Sequence, residues 1–177
     1  MENTLSKFIA ILLVVVLLFV FPILNMFDNQ DYISRTIVLN EVTHFVDAVR
    51  NLGYITPRMY DDLLRKLQAT GNQYVIELTH EHLVVQPVYL DVTDSSTFED
   101  EARNTYENSY SSEILKEIYS DEENSFYYLS SGDYFVMKVY NEKETMATRL
   151  KSILLGSQLP EKNIVVNYGG MVKNENY

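Results

Sequence analysis

The chain has 177 residues, a formal net charge of −11, fourteen tyrosines and no cysteine. The missing cysteine excludes a disulfide framework, a thiolate metal site and a cysteine nucleophile. The acidity weighs against nucleic-acid binding and against an electrostatic contact with anionic headgroups, because a domain of that charge repels phosphates, although solubility alone is a sufficient reason for it.

From Phe8 to Phe27 there are twenty residues without an ionisable side chain. As a helix they span about 30 Å, the thickness of a bilayer's hydrocarbon core. The run is carried by Phe8, Ile9, Leu12, Leu13, Val16, Leu17, Phe19, Val20 and Phe21. Its Phe, Ile, Leu and Val residues each favour insertion by roughly 0.3 to 0.6 kcal/mol. Pro22 and Asn25 weaken its last turns and belong near an interface. MENTLSK and the run after it also resemble the n- and h-regions of a cleaved signal peptide. The segment after Phe21 offers no small-x-small cleavage pattern, so an uncleaved signal-anchor is expected. A helix apolar all round is hard to bury in so short a chain. Lys7 precedes the span, whereas Asp28 and Asp31 follow it and the next cation is Arg35. The basic residue nearest the span therefore lies on its amino side. The expected layout is a cytoplasmic tail at 1–7, a transmembrane helix at 8–27 and an extracytoplasmic domain at 28–177, single-pass in the cell membrane. About 150 residues suit one compact domain. An exported domain without disulfides suits a Gram-positive surface.

Beyond the span, Val38, Val42, Phe45, Val46, Val49 and Leu52 fall on one helical stripe, with His44 and Asp47 among the polar residues opposite. Gly53 ends this amphipathic helix, and if Asp28 to Asp31 is no more than a kink, span and stripe form one long helix. Thr56 and Pro57 read as N-cap and first residue of a second helix, whose apolar face is Met59, Tyr60, Leu63, Leu64 and Leu67. Asp61 with Arg65 and Asp62 with Lys66 are expected i,i+4 pairs. Gly71 ends this helix. Two strands follow, Tyr74 to Leu78 and Leu83 to Leu90, the second at an edge because of Pro87. From Asp91 to Ser131 the composition turns acidic and rich in Tyr and Ser, which reads as a long excursion with a short helix near Ser112 to Tyr119. Tyr134 to Tyr140 reads as a strand. A helix follows with a capping box at Asn141 and Glu144, a buried face of Met146, Leu150, Ile153 and Leu154, and a stop at Gly156. Asn163 to Tyr168 is a last strand ended by Gly169 and Gly170. Strand, helix, strand suggests a right-handed crossover. The expected fold is α+β: an amino-terminal transmembrane helix continuing into an amphipathic one, then a small mixed sheet with helices on one face.

Little in the chain points to catalysis. His80 and His82 share a face if extended, a spacing that suits a metal, but with no third ligand identifiable a solvated turn between two strands is the expected context. Asp91, Asp94, Glu99, Asp100 and Glu101 lack the ligand spacing and central glycine of an EF-hand. No nucleophile elbow, zincin motif or phosphate-cradling loop occurs. No cofactor, metal or catalytic residue is therefore expected. The tyrosine surplus, including Phe126, Tyr127 and Tyr128 in succession, favours binding over catalysis, alongside its ordinary use in strands and cores.

The segments ISRTIVLNEVTHFVDAVRNLGYITPRMYDDLLRKLQATGNQYVIELTH and GDYFVMKVYNEKETMATRLKSILLG, with the closing YGGMV, resemble single-span TadE-like, pilin-like proteins of Gram-positive (Firmicutes) Tad or type IV-like pilus and secretion clusters. The matching positions include Gly53, Tyr54, Gly71, Asn72, Gly132, Asp133, Tyr134, Gly169 and Gly170. The resemblance implies an extracytoplasmic head, an amino-terminal helix that packs with other such helices, pilin-like or assembly partners or further copies of the chain, and no enzymatic activity. One departure matters. Type IV pilins usually carry a glycine before the processed phenylalanine and a glutamate early in the apolar helix, whereas Ser6 and Lys7 precede Phe8 here and no acid lies between Phe8 and Phe27. A minor, unprocessed or assembly-associated component of a surface apparatus is the expected role. A membrane-tethered binding or sensory module using residues 91–131 is the alternative, and a tethered hydrolase using acidic residues is the weakest reading.

Overall fold

The computed structural model describes residues 2–89, 98–120, 126–156 and 164–174. Its elements are α1 (Glu2–Leu52), β1 (Tyr54–Ile55), α2 (Pro57–Gln68), β2 (Tyr74–Tyr89), β3 (Phe98–Tyr110), α3 (Ser111–Ile118), β4 (Tyr127–Tyr128), β5 (Tyr134–Asn141), α4 (Met146–Leu155) and β6 (Val165–Met171). The fold is α+β, built on one long amino-terminal helix and two small sheets.

α1 runs unbroken for 51 residues, about 75 Å at 1.5 Å per residue, through Pro22 and past Asp28 and Asp31. It stops at Gly53, whose φ of +74° closes the helix with its N–H on the Val49 carbonyl at 2.8 Å. Val38, Val42, Phe45, Val46 and Val49 are buried along one side, and Leu52 is half-buried. The end of the head beside Asp28 is called the near end below, and that beside Leu52 the far end.

The main sheet has the order β3-β2-β5-β6, and every neighbouring pair is antiparallel. Its inner face presents Leu78, Phe135, Met137, Val139 and Val166 to α1, with Phe45 against Phe135 at 6.4 Å between ring centres. Its outer face carries a polar group in which Lys138 and the Tyr140 hydroxyl both donate to Glu77. α2 lies on α1, Phe45 meeting Tyr60 edge-on at 6.4 Å. Thr56 caps α2 by accepting the Met59 N–H, with Pro57 as its first residue. Ile114 and Ile118 of α3 close the core beside β2.

Several expectations need correction. The sheet is antiparallel rather than mixed, and β5 and β6 are direct antiparallel neighbours, so no crossover exists. The reason is where α4 goes. It leaves the near end of β5 and packs beside α1, and the chain then returns to the same end, where the Ile164 N–H donates to Asn141 Oδ1 at 2.9 Å. A connection that starts and finishes at one end of the sheet pairs its strands antiparallel. Asn141 therefore belongs to β5, and the cap of α4 is Thr145, which accepts the Thr148 N–H. Met146, Ile153 and Leu154 are exposed and Leu150 half-buried, while the buried residues of α4 are Ala147 and Thr148. Leu78 and Leu83 lie in one continuous strand, so His80 and His82 sit within β2 rather than in a turn. Residues 98–110, read as part of a loop, form β3. Beyond Glu81, among the described residues, β2 pairs with β3 alone, and such a two-stranded ribbon has no buried face to impose alternating apolar residues. Pro87 falls in this ribbon, where the register shifts. Gly169 and Gly170 lie inside β6 rather than after it. The pairs on α2 also differ: Arg65 bonds Asp62, Lys66 reaches across to Glu41 of α1 at 2.6 Å, and Asp61 accepts from the Tyr119 hydroxyl.

Phe45 joins α1 to both α2 and the sheet. Phe45→Ala is expected to lower the unfolding free energy by about 3 to 5 kcal/mol, whereas the exposed His44→Ala changes it by less than about 0.5 kcal/mol. Urea unfolding of the detergent-solubilised full chain, followed by tyrosine fluorescence, measures both.

Candidate functional site

α1 is long and apolar enough to cross a membrane, and the apolar window within it is not buried against the rest of the chain. Phe8, Ile9, Leu12, Leu13, Val16, Leu17, Phe19 and Phe21 are exposed, and Pro22 with them. On the side that carries Ser34 and Asp31, Phe27, Leu24 and Val20 are half-covered. Those five positions recur at steps of three and four and continue downward the stripe that Val38 to Val49 bury in the head.

Two contacts pin α4 along this side. Thr145 Oγ1 donates to Asp31 Oδ2 and Lys151 Nζ to Asp28 Oδ1, each at 2.5 Å. Both acids lie just past the apolar run and would be expected to interrupt a helix, so these partners explain why α1 passes them straight. Burial pushes the Asp31 carboxyl above its ordinary value, and the Thr145 hydrogen bond offsets this in part. The Lys151–Asp28 pair is partly exposed on both sides, so it contributes position more than stability.

Above Asp31, α1 keeps apolar side chains in the open. Ile33 and Ile37 share one exposed side with Met26, and Tyr32 and Leu39, seven residues apart, are exposed together on another. An apolar side left open on a helix whose other face is closed is a surface available for protein or membrane contact.

At the far end a polar cluster lies beside β4, with Asp133 and His80 buried and His82 half-exposed. Asp133, 1% exposed, accepts four donors: the Leu83 and Ser130 N–H groups at 3.0 and 2.7 Å, and His80 Nε2 and His82 Nδ1 at 2.9 Å each. The other nitrogen of His80 meets the Tyr127 hydroxyl at 2.7 Å. Burial pushes the Asp133 carboxyl up, but the hydrogen bonds from Leu83, His80, His82 and Ser130 outweigh it and hold it below 3.8. The ligand-type atoms of His80, His82 and Asp133 lie within 4.8 Å of one another, a spacing that suits a metal. Yet both carboxylate oxygens are already engaged by the two imidazoles and two backbone donors, so the geometry is complete as a hydrogen-bonded network that joins β2 to the turn before β5.

The positions that carry the sequence resemblance mostly gather at this far end. The Gly53 carbonyl accepts from Leu129, Tyr54 pairs with Tyr128 and stacks edge-on with Phe126, and Gly132 donates to Val172. Tyr134 meets Tyr106 edge-on at 6.5 Å. A Cβ on Gly170 would lie 2.8 Å from the Arg50 guanidinium, and one on Gly169 would lie 2.6 Å from the Phe135 carbonyl oxygen. At Gly169 β6 can therefore pass this close to β5 only without a side chain, whereas a side chain on Gly170 would displace the Arg50 guanidinium. Gly71 and Asn72 stand apart, in the near-end turn between α2 and β2. Asp133 was visible as a motif position, but its partnership with the two histidines was not. The signal available was the pair His80 and His82 two apart, which a continuous strand aims at one face. Asp91 and Asp94 lie outside the described residues. Comparison of the chain with protein-family models, with curated proteins and with solved structures found no match.

Asp133→Asn should cost about 3 to 5 kcal/mol of stability at neutral pH, because two imidazoles and two N–H groups lose a buried anion. The Asp133 carboxyl titrates below 3.8 in the fold, so its contribution is complete above that pH and is lost as pH falls through the folded value. Urea midpoints of the wild type and the variant should therefore converge on acidification below pH 4 and stay apart from pH 5 to 7.

Proposed function

We propose that this protein is a membrane-anchored structural or assembly component of a surface apparatus, pilin-like in layout, acting by helix packing and head contacts. The observation that carries the reading is the unbroken α1, in which one helix supplies the uncovered apolar segment, an exposed apolar side at Met26, Ile33 and Ile37, and the buried spine of the head. Cleavage within such a rod would separate the head from half its own helix, which favours an uncleaved anchor. Lys7 before the span and the acids after it favour a cytoplasmic amino terminus and an external head. The layout supports the resemblance to pilin-like proteins of Gram-positive Tad or type IV-like clusters as context for the role.

A second reading is a tethered binding or sensory module, favoured by the β2–β3 ribbon. This arm extends past the start of β5, and Val85, Tyr106 and Tyr110 are exposed on it or at its base. Tyrosines of this kind give contact area at low conformational cost.

The chain has no cysteine, so single cysteines report cleanly. Under oxidation of native membranes, Ile33→Cys and Ile37→Cys should give disulfide-linked copies of the chain or, with a thiol-reactive photo-cross-linker, adducts to other assembly components. Arg35→Cys, on another side of α1, should give far less. Equal labelling at all three positions with no adduct would remove the assembly reading, and protease digestion of the head on intact cells checks the orientation.

A further inference from the structure

α4 is an odd helix for a soluble head. Its buried residues are Ala147 and Thr148, whereas Met146, Ile153, Leu154 and Leu155 are 56, 69, 52 and 67% exposed. Three large apolar residues in succession thus stand bare at its carboxy end, on a chain of net charge −11.

Where that end lies decides what covers it. Thr145, at the start of α4, is bonded to Asp31, and Lys151 to Asp28, so α4 runs antiparallel to α1, back toward the apolar segment. Ten residues of helix extend about 15 Å, the rise of ten residues of α1. Starting at the level of Asp31, α4 therefore brings Ile153 to Leu155 below Phe27, beside the last turns of the twenty-residue apolar run. The charges are ordered to match. Arg149 and Lys151 stand one helical turn above Ile153 and Leu155, cations over apolar side chains, as at a bilayer surface. The contact is apolar, so the chain's overall acidity does not oppose it, and Arg149 lies where anionic headgroups would be met while Lys151 is paired with Asp28.

We propose that the carboxy end of α4 enters the bilayer leaflet adjoining the head, giving this protein a second, apolar point of contact with the membrane beside its span. The inference rests on the reading that α1 crosses the bilayer. The occupant is lipid rather than a partner helix because the exposed residues are continuous with the lipid-facing length of α1 and reach the depth at which that length begins. Two contacts, one along α1 and one at α4, set the depth of the head over the bilayer and limit its tilt, which a single span leaves free.

The test uses the full chain in phosphatidylcholine–phosphatidylglycerol vesicles, with an environment-sensitive fluorophore on single cysteines at Leu154, Leu155, Phe19 and Arg58. Phe19 reports the span, and the exposed Arg58 at the start of α2 reports the water-facing head. The expected result is blue-shifted emission at 154 and 155 that is quenched by lipids spin-labelled near the headgroup. Phe19→Cys should be quenched best by lipids labelled deep in the chain, and Arg58→Cys by neither. If Phe19 is quenched while 154 and 155 report water, the inference is overturned and the span stands. Shielding at 154 and 155 without lipid quenching overturns it in favour of a second copy of the chain. Failure of quenching at Phe19 overturns the span reading and the inference together.

Discussion

A single helix has two incompatible environments to satisfy, and the structure meets both by keeping it continuous. The valines at 38, 42, 46 and 49 and Phe45 make α1 the spine of the core, while its first half carries apolar side chains that the head does not cover. No hinge separates the halves. Whatever is packed on the spine is therefore fixed in height and direction with respect to the apolar segment. The sheet, α2 and α4 all take their positions from that one surface.

The two ends of the head are secured by different chemistry. At the near end, α4 is held by the Thr145–Asp31 hydrogen bond, whose Thr145 is buried, and by the Lys151–Asp28 pair, exposed enough that it sets geometry rather than supplies much energy. At the far end the carboxylate of Asp133 is buried and fully engaged, and Gly169 in β6 lets its backbone approach that of β5 where a side chain would collide. Loss of a partner there leaves desolvated groups unpaired, so the far end tolerates little change. The near end can adapt to what lies beneath it.

Much of this was legible in the residues. The apolar run, the stripe from Val38 to Leu52, the Thr56–Pro57 helix start, and the glycine stops at 53 and 156 follow from local rules that tertiary packing had no reason to override. The misreadings share a cause: each depended on what lay on the other side of an element. FEDEARNTYENSY has the composition of a loop because a strand that pairs in a two-stranded ribbon beyond the core needs no apolar alternation. The Met146, Ile153 and Leu154 pattern looked like a core face because periodicity reports a side that avoids water, without saying whether protein or lipid receives it. His80 and His82 looked solvated because the anion between them comes from Asp133, more than fifty positions away. The antiparallel pairing of β5 and β6 depended on the direction α4 takes, which its own residues do not encode.

The attachment of β6 to the top of α1 also determines how the domain closes. Arg50 donates to the Met171 carbonyl, and its own carbonyl accepts from Lys173 and Asn174, so the first and last elements among the described residues are fastened at their far tips after rising side by side. Fraying of β6 from that tip therefore requires breaking its bonds to α1 as well as its ladder to β5.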